Sequence, residues 1–266
     1  MNAGDDLAGR SSRLLAADDP HPVIVQNPGG ASPFVLLGDH AGRAIPVRLG
    51  NLGLKAHDLS RHIAWDIGIE GLGETLARRI DAPFVRQRYS RLVIDCNRFP
   101  DDPGSVVEAS DGSIVHGNRT LSATDRDLRV RELFTVYHER IEALLDERRA
   151  AGQPTILVSL HSFTPAMSGQ ARPWWFGVLH RGDSAFSRAA LAVLRDRWSH
   201  ALVGDNQPYA MDGIDYTVPH HADRIGLDYL ELEIRQDLID SPAKQAGFME
   251  PLATVLRQAF AQASAG

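Results

Sequence analysis

At 266 residues and 43% hydrophobic content, the chain lies within the range of one α/β unit and can fill a sizeable core. A net charge of -6 and a pI near 6.0 argue against nucleic acid as the main partner. A single cysteine, Cys96, rules out an intramolecular disulfide and fits a reducing cytoplasm, and no apolar run approaches the roughly 20 residues of a membrane span.

Residues 1–19 are polar and rich in Ala, Asp and Arg, and 14–17 are too short for a signal-peptide core. Residues 1–20 are expected to form a flexible tail or an arm onto a neighbouring subunit of a homo-oligomer, ahead of a single domain over 21–266. His21-Pro22-Val23-Ile24-Val25 reads as an edge strand, closed by the turn signal Gln26-Asn27-Pro28-Gly29-Gly30. Residues 34–37 form a buried strand that runs into Gly38-Asp39-His40-Ala41-Gly42-Arg43, where glycines allow a sharp turn and close approach of a ligand. Residues 58–80 read as one helix, with Leu59, Ile63, Ile67, Leu72, Leu76 and Ile80 near the helical period and Asp66 breaking that apolar face beside Trp65.

Residues 84–89 and 91–96 are strand-like, the second ending in Asp95-Cys96-Asn97-Arg98. The long connection 99–122, with turns at Asp101-Asp102-Pro103-Gly104 and Asp111-Gly112, suits a functional loop or lid. Residues 127–150 give the clearest helix, with Leu128, Leu133, Phe134, Tyr137, Ile141, Leu144 and Leu145 as its stripe. Asp125 or Asp127 would cap it and Gly152 end it. Residues 155–160 form a buried strand ending in His161-Ser162, and 174–179 form another. Residues 184–200 read as an amphipathic helix starting at Asp183 or Ser184, 229–234 as the last strand and 251–263 as a closing helix. Strands alternating with helices predict a three-layer α/β/α fold around a mixed, mainly parallel sheet. Ligands then bind beyond the carboxyl ends of the strands, where His40, Asp95 to Arg98 and His161 fall.

Zinc favours imidazole and carboxylate ligands, and a catalytic site keeps one position open for water. His40 and His161 suit that role, although a histidine at a strand end also serves as a hydrogen-bonded structural group. There is no His-Glu-x-x-His helix motif, so a third ligand must come from elsewhere. Asp66 is the leading acid, with a helix-surface or capping role as its alternative. Glu231 and Glu233 alternate with Leu230, Leu232 and Ile234, which puts both acids on one strand face. If that face meets the strand ends, one of them is a general base. Arg91, Asn97, Arg98 and Arg235 could bind a substrate carboxylate, or the arginines could form an internal ion-pair network with Asp95 and Glu233. His220-His221 with Asp223, and Tyr137-His138-Glu139, are further polar clusters that either polarise a carbonyl or lie exposed. Cys96 reads as an apolar strand residue pointing away from Asp95 and Asn97. No Gly-x-Ser-x-Gly elbow, Gly-x-Gly-x-x-Gly fingerprint or Walker loop supports a serine hydrolase or a nucleotide cofactor.

Several segments carry a family resemblance in order along the chain. They are Asp39-His40-Ala41-Gly42-Arg43-Ala44-Ile45-Pro46, His62-Ile63-Ala64-Trp65-Asp66-Ile67-Gly68, residues 90–98, Tyr137-His138 and Ser159-Leu160-His161-Ser162-Phe163. Residues 206–209, His221 and residues 231–238 complete the set. With them the chain resembles the N-formylglutamate amidohydrolase family, itself similar in fold to zinc-dependent exopeptidases and aspartoacylases. The resemblance implies a phosphorylase/hydrolase-like (zinc exopeptidase-like) fold and one Zn2+ held by His40, His161 and an acid that Asp66 fits. Exopeptidase relatives often use a His-x-x-Glu pair, whereas here Arg43 stands three residues after His40. Glu233 looks like the base, with Glu231 as a substitute. Asn97 and Arg98 resemble the substrate-carboxylate motif Asp-Leu-Asn-Arg, with Cys96 in place of Leu. Arg91 and Arg235 would be supporting cations, and His221 a further substrate contact. The implied reaction is cleavage of an N-acyl, in particular N-formyl, acidic amino acid such as N-formylglutamate, in cytoplasmic amino-acid catabolism such as histidine degradation. A zinc carboxypeptidase, another N-acyl amino acid amidase, or a metal-free binding protein for acidic amino acids are the alternatives.

Overall fold

Seven strands build the central sheet of the computed structural model, which describes residues 12–182 and 184–265. In chain order they are β1 (Val23–Gln26), β2 (Phe34–Gly38), β3 (Phe84–Gln87), β4 (Ile156–Phe163), β5 (Phe176–Leu179), β6 (Val203–Asp205) and β7 (Tyr229–Arg235). Their order across the sheet is β1-β3-β2-β4-β7-β5-β6. β1 against β3 and β7 against β5 are antiparallel, and the remaining pairs are parallel. β2 and β4 are buried along their whole length, as befits strands covered on both faces.

Helices α1 (Ile69–Ile80), α3 (Ala185–Trp198) and α4 (Pro242–Ala263) pack on one another and on one sheet face, enclosing Leu36, Val158, Leu160, Leu230, Leu232 and Ile234. Helix α2 (Thr135–Ala150) covers the other face, over Val35, Leu37, Leu157, Leu179 and Tyr229. This is an α/β fold with helices on both sides of a mixed, mostly parallel sheet. No helix among the described residues is long and apolar enough to cross a membrane.

The expected helix over 58–80 is two pieces, Ala56–Leu59 and α1, separated by turns. Gly68 has φ 90°, and a Cβ there would lie 2.2 Å from the Ile239 carbonyl oxygen, so only glycine makes this bend. Asp66 therefore stands in the turn ahead of α1 and not on a helix face. The expected strand over 91–96 is also absent. Ser90 Oγ accepts from the Leu92 amide at 3.1 Å and Asp95 Oδ1 from the Asn97 amide at 2.8 Å, local bonds that compete with a strand ladder. The carbonyls of Leu92 and Val93 are taken by Asn118 Nδ2 at 2.9 Å and Arg129 Nη1 at 2.8 Å. Leu92, Val93 and Ile94 are all buried in the second apolar cluster, with no alternation between them.

The connection 99–122 has elements of its own, the turns Pro103–Ser105 and His116–Asn118 and a hairpin of Ala109–Ser110 with Ser113–Ile114. The helix expected from 127 begins at Ala123, where Ser122 and not Asp125 or Asp127 is the cap, and runs through the π-type turn Val130–Phe134 into α2. Ser184 caps α3; Asp183 lies outside the described residues. α4 starts well before residue 251 and carries Pro251 inside it. Of the expected N-terminal tail, residues 12–20 pack on the body: Leu14 is buried, its amide lies 3.0 Å from the Glu132 carboxylate, and the Pro20 carbonyl accepts the Tyr89 hydroxyl at 2.8 Å. Residues 1–11 lie outside the described residues.

Candidate active site

Because β2, β4 and β7 run parallel, their carboxyl ends open on one cavity of about 260 Å³. Glu233 stands opposite His161, and Glu231 opposite Ser159. The two-residue period puts all four on the face that carries Leu157 and Tyr229 further back. Gly177 of β5 is the partner of Glu233, and a Cβ there would lie 2.1 Å from the Gln207 carbonyl oxygen. Glycine thus lets the loop bearing Tyr209 close over the acid.

His40, Asp66 and His161 are buried, and one ligand atom from each lies within 4.8 Å of the others. His161 Nδ1 is 3.0 Å from Asp66 Oδ2, and His40 Nδ1 is 3.6 Å from the same oxygen. Both rings are held from behind through Nε2: His40 by Asp95 at 2.6 Å, His161 by Asp39 at 3.3 Å and Ser159 Oγ at 3.1 Å. Asp39 in turn accepts the Tyr137 hydroxyl at 2.8 Å. A carboxylate on the far nitrogen is the arrangement that fixes the tautomer and ring plane of metal-binding histidines. The Arg91 guanidinium donates to both His40 Nδ1 and Asp66. Since arginine only donates, His40 presents a lone pair at Nδ1 and its Nε2–H faces Asp95. A positive charge therefore already lies against two of the three groups, and the donor set of two imidazoles and a carboxylate fits a zinc ion.

The titration properties follow from burial set against neighbouring charge. Burial alone would raise Asp39, but His161, His40 and Tyr137 bring it down to about 2. Asp66 and Asp95 are also buried, yet lie well below the usual carboxylate range, Asp66 because of Arg91 and both histidines, Asp95 because of His40 and the two arginines. Burial would depress His161, but Asp39 and Asp66 hold it well above its ordinary value. Burial dominates for the two glutamates, pushing Glu233 up to about 7 and Glu231 up to about 8. The Oε2 atom of each has no hydrogen-bond partner among the described residues.

The cavity also gathers Arg91, Asn97 and Arg98. Arg98 Nη1 pairs with Asp215 Oδ1 at 2.8 Å, and Asn97 Oδ1 accepts from the Thr217 amide at 2.9 Å. The internal ion pairs are thus Arg91–Asp66 and Arg98–Asp215. Two expected substrate contacts lie outside the cavity. Arg235 is one step further along β7, where Asp237 takes its Nε at 2.8 Å. His221 is buried on the short helix Thr217–His221, its Nε2 2.9 Å from His138 Nδ1. Cys96 is buried with its Sγ 3.4 Å from Gln87 Nε2, and burial pushes its thiol well above the ordinary value. Asp39, Tyr137, His62, Tyr209 and Asp215 joined the site without having been assigned to it. Asp39 had a signal, its place beside His40 at a strand end, and Tyr209 fell in the resembling stretch 206–209, whereas the loop residue Asp215 had none.

A family model described as N-formylglutamate amidohydrolase matches residues 32–240. A crystal structure of a gene product from Agrobacterium tumefaciens is 35% identical, with a TM-score of 0.89 over 94% of this chain and 98% of that one. N-formylglutamate amidohydrolase from Ralstonia eutropha shares the fold at 18% identity, with a TM-score of 0.69 over 93% of this chain and 100% of its own. No curated protein matches the sequence.

Proposed function

This chain belongs to the N-formylglutamate amidohydrolase family, hydrolases acting on an amide bond, and we propose that it cleaves the amide of an N-acyl acidic amino acid, N-formylglutamate above all, with zinc held by His40, Asp66 and His161. The observation that carries this reading is the pair of inward-facing Nδ1 atoms, each backed by a carboxylate, beside an unpartnered glutamate on the next strand. Zinc bound there supplies Lewis acidity, acidifying a water and polarising the acyl carbonyl.

Glu233 is the general base. Its free Oε2 takes a proton from the attacking water and delivers it to the leaving nitrogen, and a value near 7 suits both transfers. Asp95 and Asp39 keep the two imidazoles in their ligand tautomer through the cycle. Arg98 and Asn97 bind the substrate carboxylate, Arg98 as a guanidinium held in place by Asp215 and Asn97 through its amide. Arg91 is the supporting cation that offsets the negative charge of Asp66. The products are a small carboxylate, formate for the formyl substrate, and a free amino acid. The test is hydrolysis of N-formylglutamate by chelator-stripped protein before and after zinc is restored, run beside N-acetylglutamate and N-formylalanine. Activity should vanish and return with zinc and be greatest for the formylated acidic substrate; undiminished turnover by the metal-free protein overturns the mechanism.

A further inference from the structure

A second histidine cluster lies outside the cavity, between α2 and the short helix Thr217–His221. Glu142, His220 and His221 each bring one ligand atom within 4.8 Å of the others. His220 Nε2 is 2.9 Å from Glu142 Oε1, and the Tyr216 ring stacks on His220 with centroids 4.5 Å apart, fixing its plane. Behind them, the hydrogen bonds determine the tautomers. His138 Nε2 lies 2.9 Å from the Cys96 carbonyl, which can only accept, so the proton of His138 is on Nε2 and its Nδ1 accepts. That Nδ1 is 2.9 Å from His221 Nε2, which therefore carries the proton of His221. His221 is left with a bare lone pair on Nδ1, buried at 1% exposure and without a partner among the described residues. Buried polar atoms are rarely left so, and an electron-pair donor with no hydrogen to accept is what a metal ligand looks like without its ion.

We propose that Glu142, His220 and His221 form a second metal site, which takes a first-row divalent ion of the zinc class and clamps the Thr217–His221 helix to α2. Two imidazoles and one carboxylate are borderline donors suited to such ions and not to magnesium or calcium. The ion replaces the hydrogen that His220 now directs at Glu142. Arg224, whose Nη2 is 3.2 Å from the same glutamate oxygen, swings aside, as its 59% exposed side chain allows. The chain His221–His138–Cys96 carbonyl then ties the clamp to the loop carrying Asn97, with no group of the clamp touching the substrate cavity.

The experiment is calorimetric titration of chelator-stripped full-length protein with Zn2+ alone. The wild type should take two equivalents, Glu142→Gln and His220→Ala one each, and His161→Ala one. The double variant His161→Ala/His220→Ala should take none. Zinc should raise the melting temperature of His161→Ala but not of the double variant. Both clamp variants carry partly exposed substitutions, and with zinc in the first site their kcat should match the wild type. The clamp is overturned if Glu142→Gln and His220→Ala bind as much zinc as the wild type, or if zinc leaves the melting temperature of His161→Ala unchanged. A wild type that takes a single equivalent, lost in His220→Ala and kept in His161→Ala, would support the clamp while removing zinc from the proposed catalytic centre.

Discussion

The two faces of the central sheet are built from the same strands and the same alternation, yet they diverge halfway along. On the face under α1, α3 and α4, Val158, Leu160, Leu230, Leu232 and Ile234 are apolar, and Ser162 at the end of β4 is the one polar residue of these two strands on that face. On the face under α2, Leu157 and Tyr229 begin an apolar layer that gives way to Ser159, His161, Glu231 and Glu233. Both halves of that face are buried: packing holds the apolar half, whereas in the polar half His161 is paired with Asp39 and Asp66 and each glutamate keeps an unpartnered oxygen. The first face serves stability; the carboxyl half of the second gives up stability to hold groups that would be lower in free energy in water.

Mutation should pull the two faces apart, and the largest effect belongs to the base. Glu233→Gln should lower kcat on the order of 10²- to 10⁴-fold with zinc content unchanged; near-normal turnover removes Glu233 from that role. The opposite face should respond in the opposite measurement. Leu160→Ala, at 1% exposure, should cost about 2–5 kcal/mol in denaturant unfolding and leave kcat of the folded protein almost unaltered. Equal losses in stability and kcat would show that the faces are not separable. Arg98→Ala should raise KM for N-formylglutamate about 10- to 100-fold, the scale of one charge-assisted hydrogen bond, with a much smaller change in kcat; an unchanged KM excludes it from the carboxylate site.

The smallest effect sharpens the contrast through pH. Glu231 titrates near 8 in the folded chain against 4.5 when free, so the folded state holds its proton more tightly than the unfolded one. Its contribution therefore favours folding at low pH and is lost as pH rises from about 4.5 through about 8. In metal-free protein, Glu231→Gln should raise the melting temperature more at pH 9 than at pH 5. A gain of the same size at both values would show that Glu231 is not held protonated by burial.

Much of this polar half was legible in the chain. The strand runs ending at His40 and His161 were readable because strand propensity and burial act over a few residues, and the two-residue period alone put Glu231 and Glu233 side by side. Two local readings failed for a definable reason. Leu92, Val93 and Ile94 look like a strand, but Ser90 and Asp95 bond their own backbone and the run is buried by turns. Asp66 looked helical because Ile63, Ile67 and Leu72 keep helical spacing across a bend that Gly68 makes.

By itself, then, the sequence determined the α/β class, the strand ends that carry His40 and His161, and the shared face of Glu231 and Glu233. Only the tertiary structure decided that Asp95 and Asp39 stand behind the two histidines, that Arg98 belongs to Asp215, and that Arg235 and His221 point elsewhere. The physical reason is range. Hydrogen-bonded backbone and hydrophobic period are properties of adjacent residues, whereas the partners of a buried charge are set by the order β1-β3-β2-β4-β7-β5-β6, which brings together groups as far apart as Arg98 and Asp215.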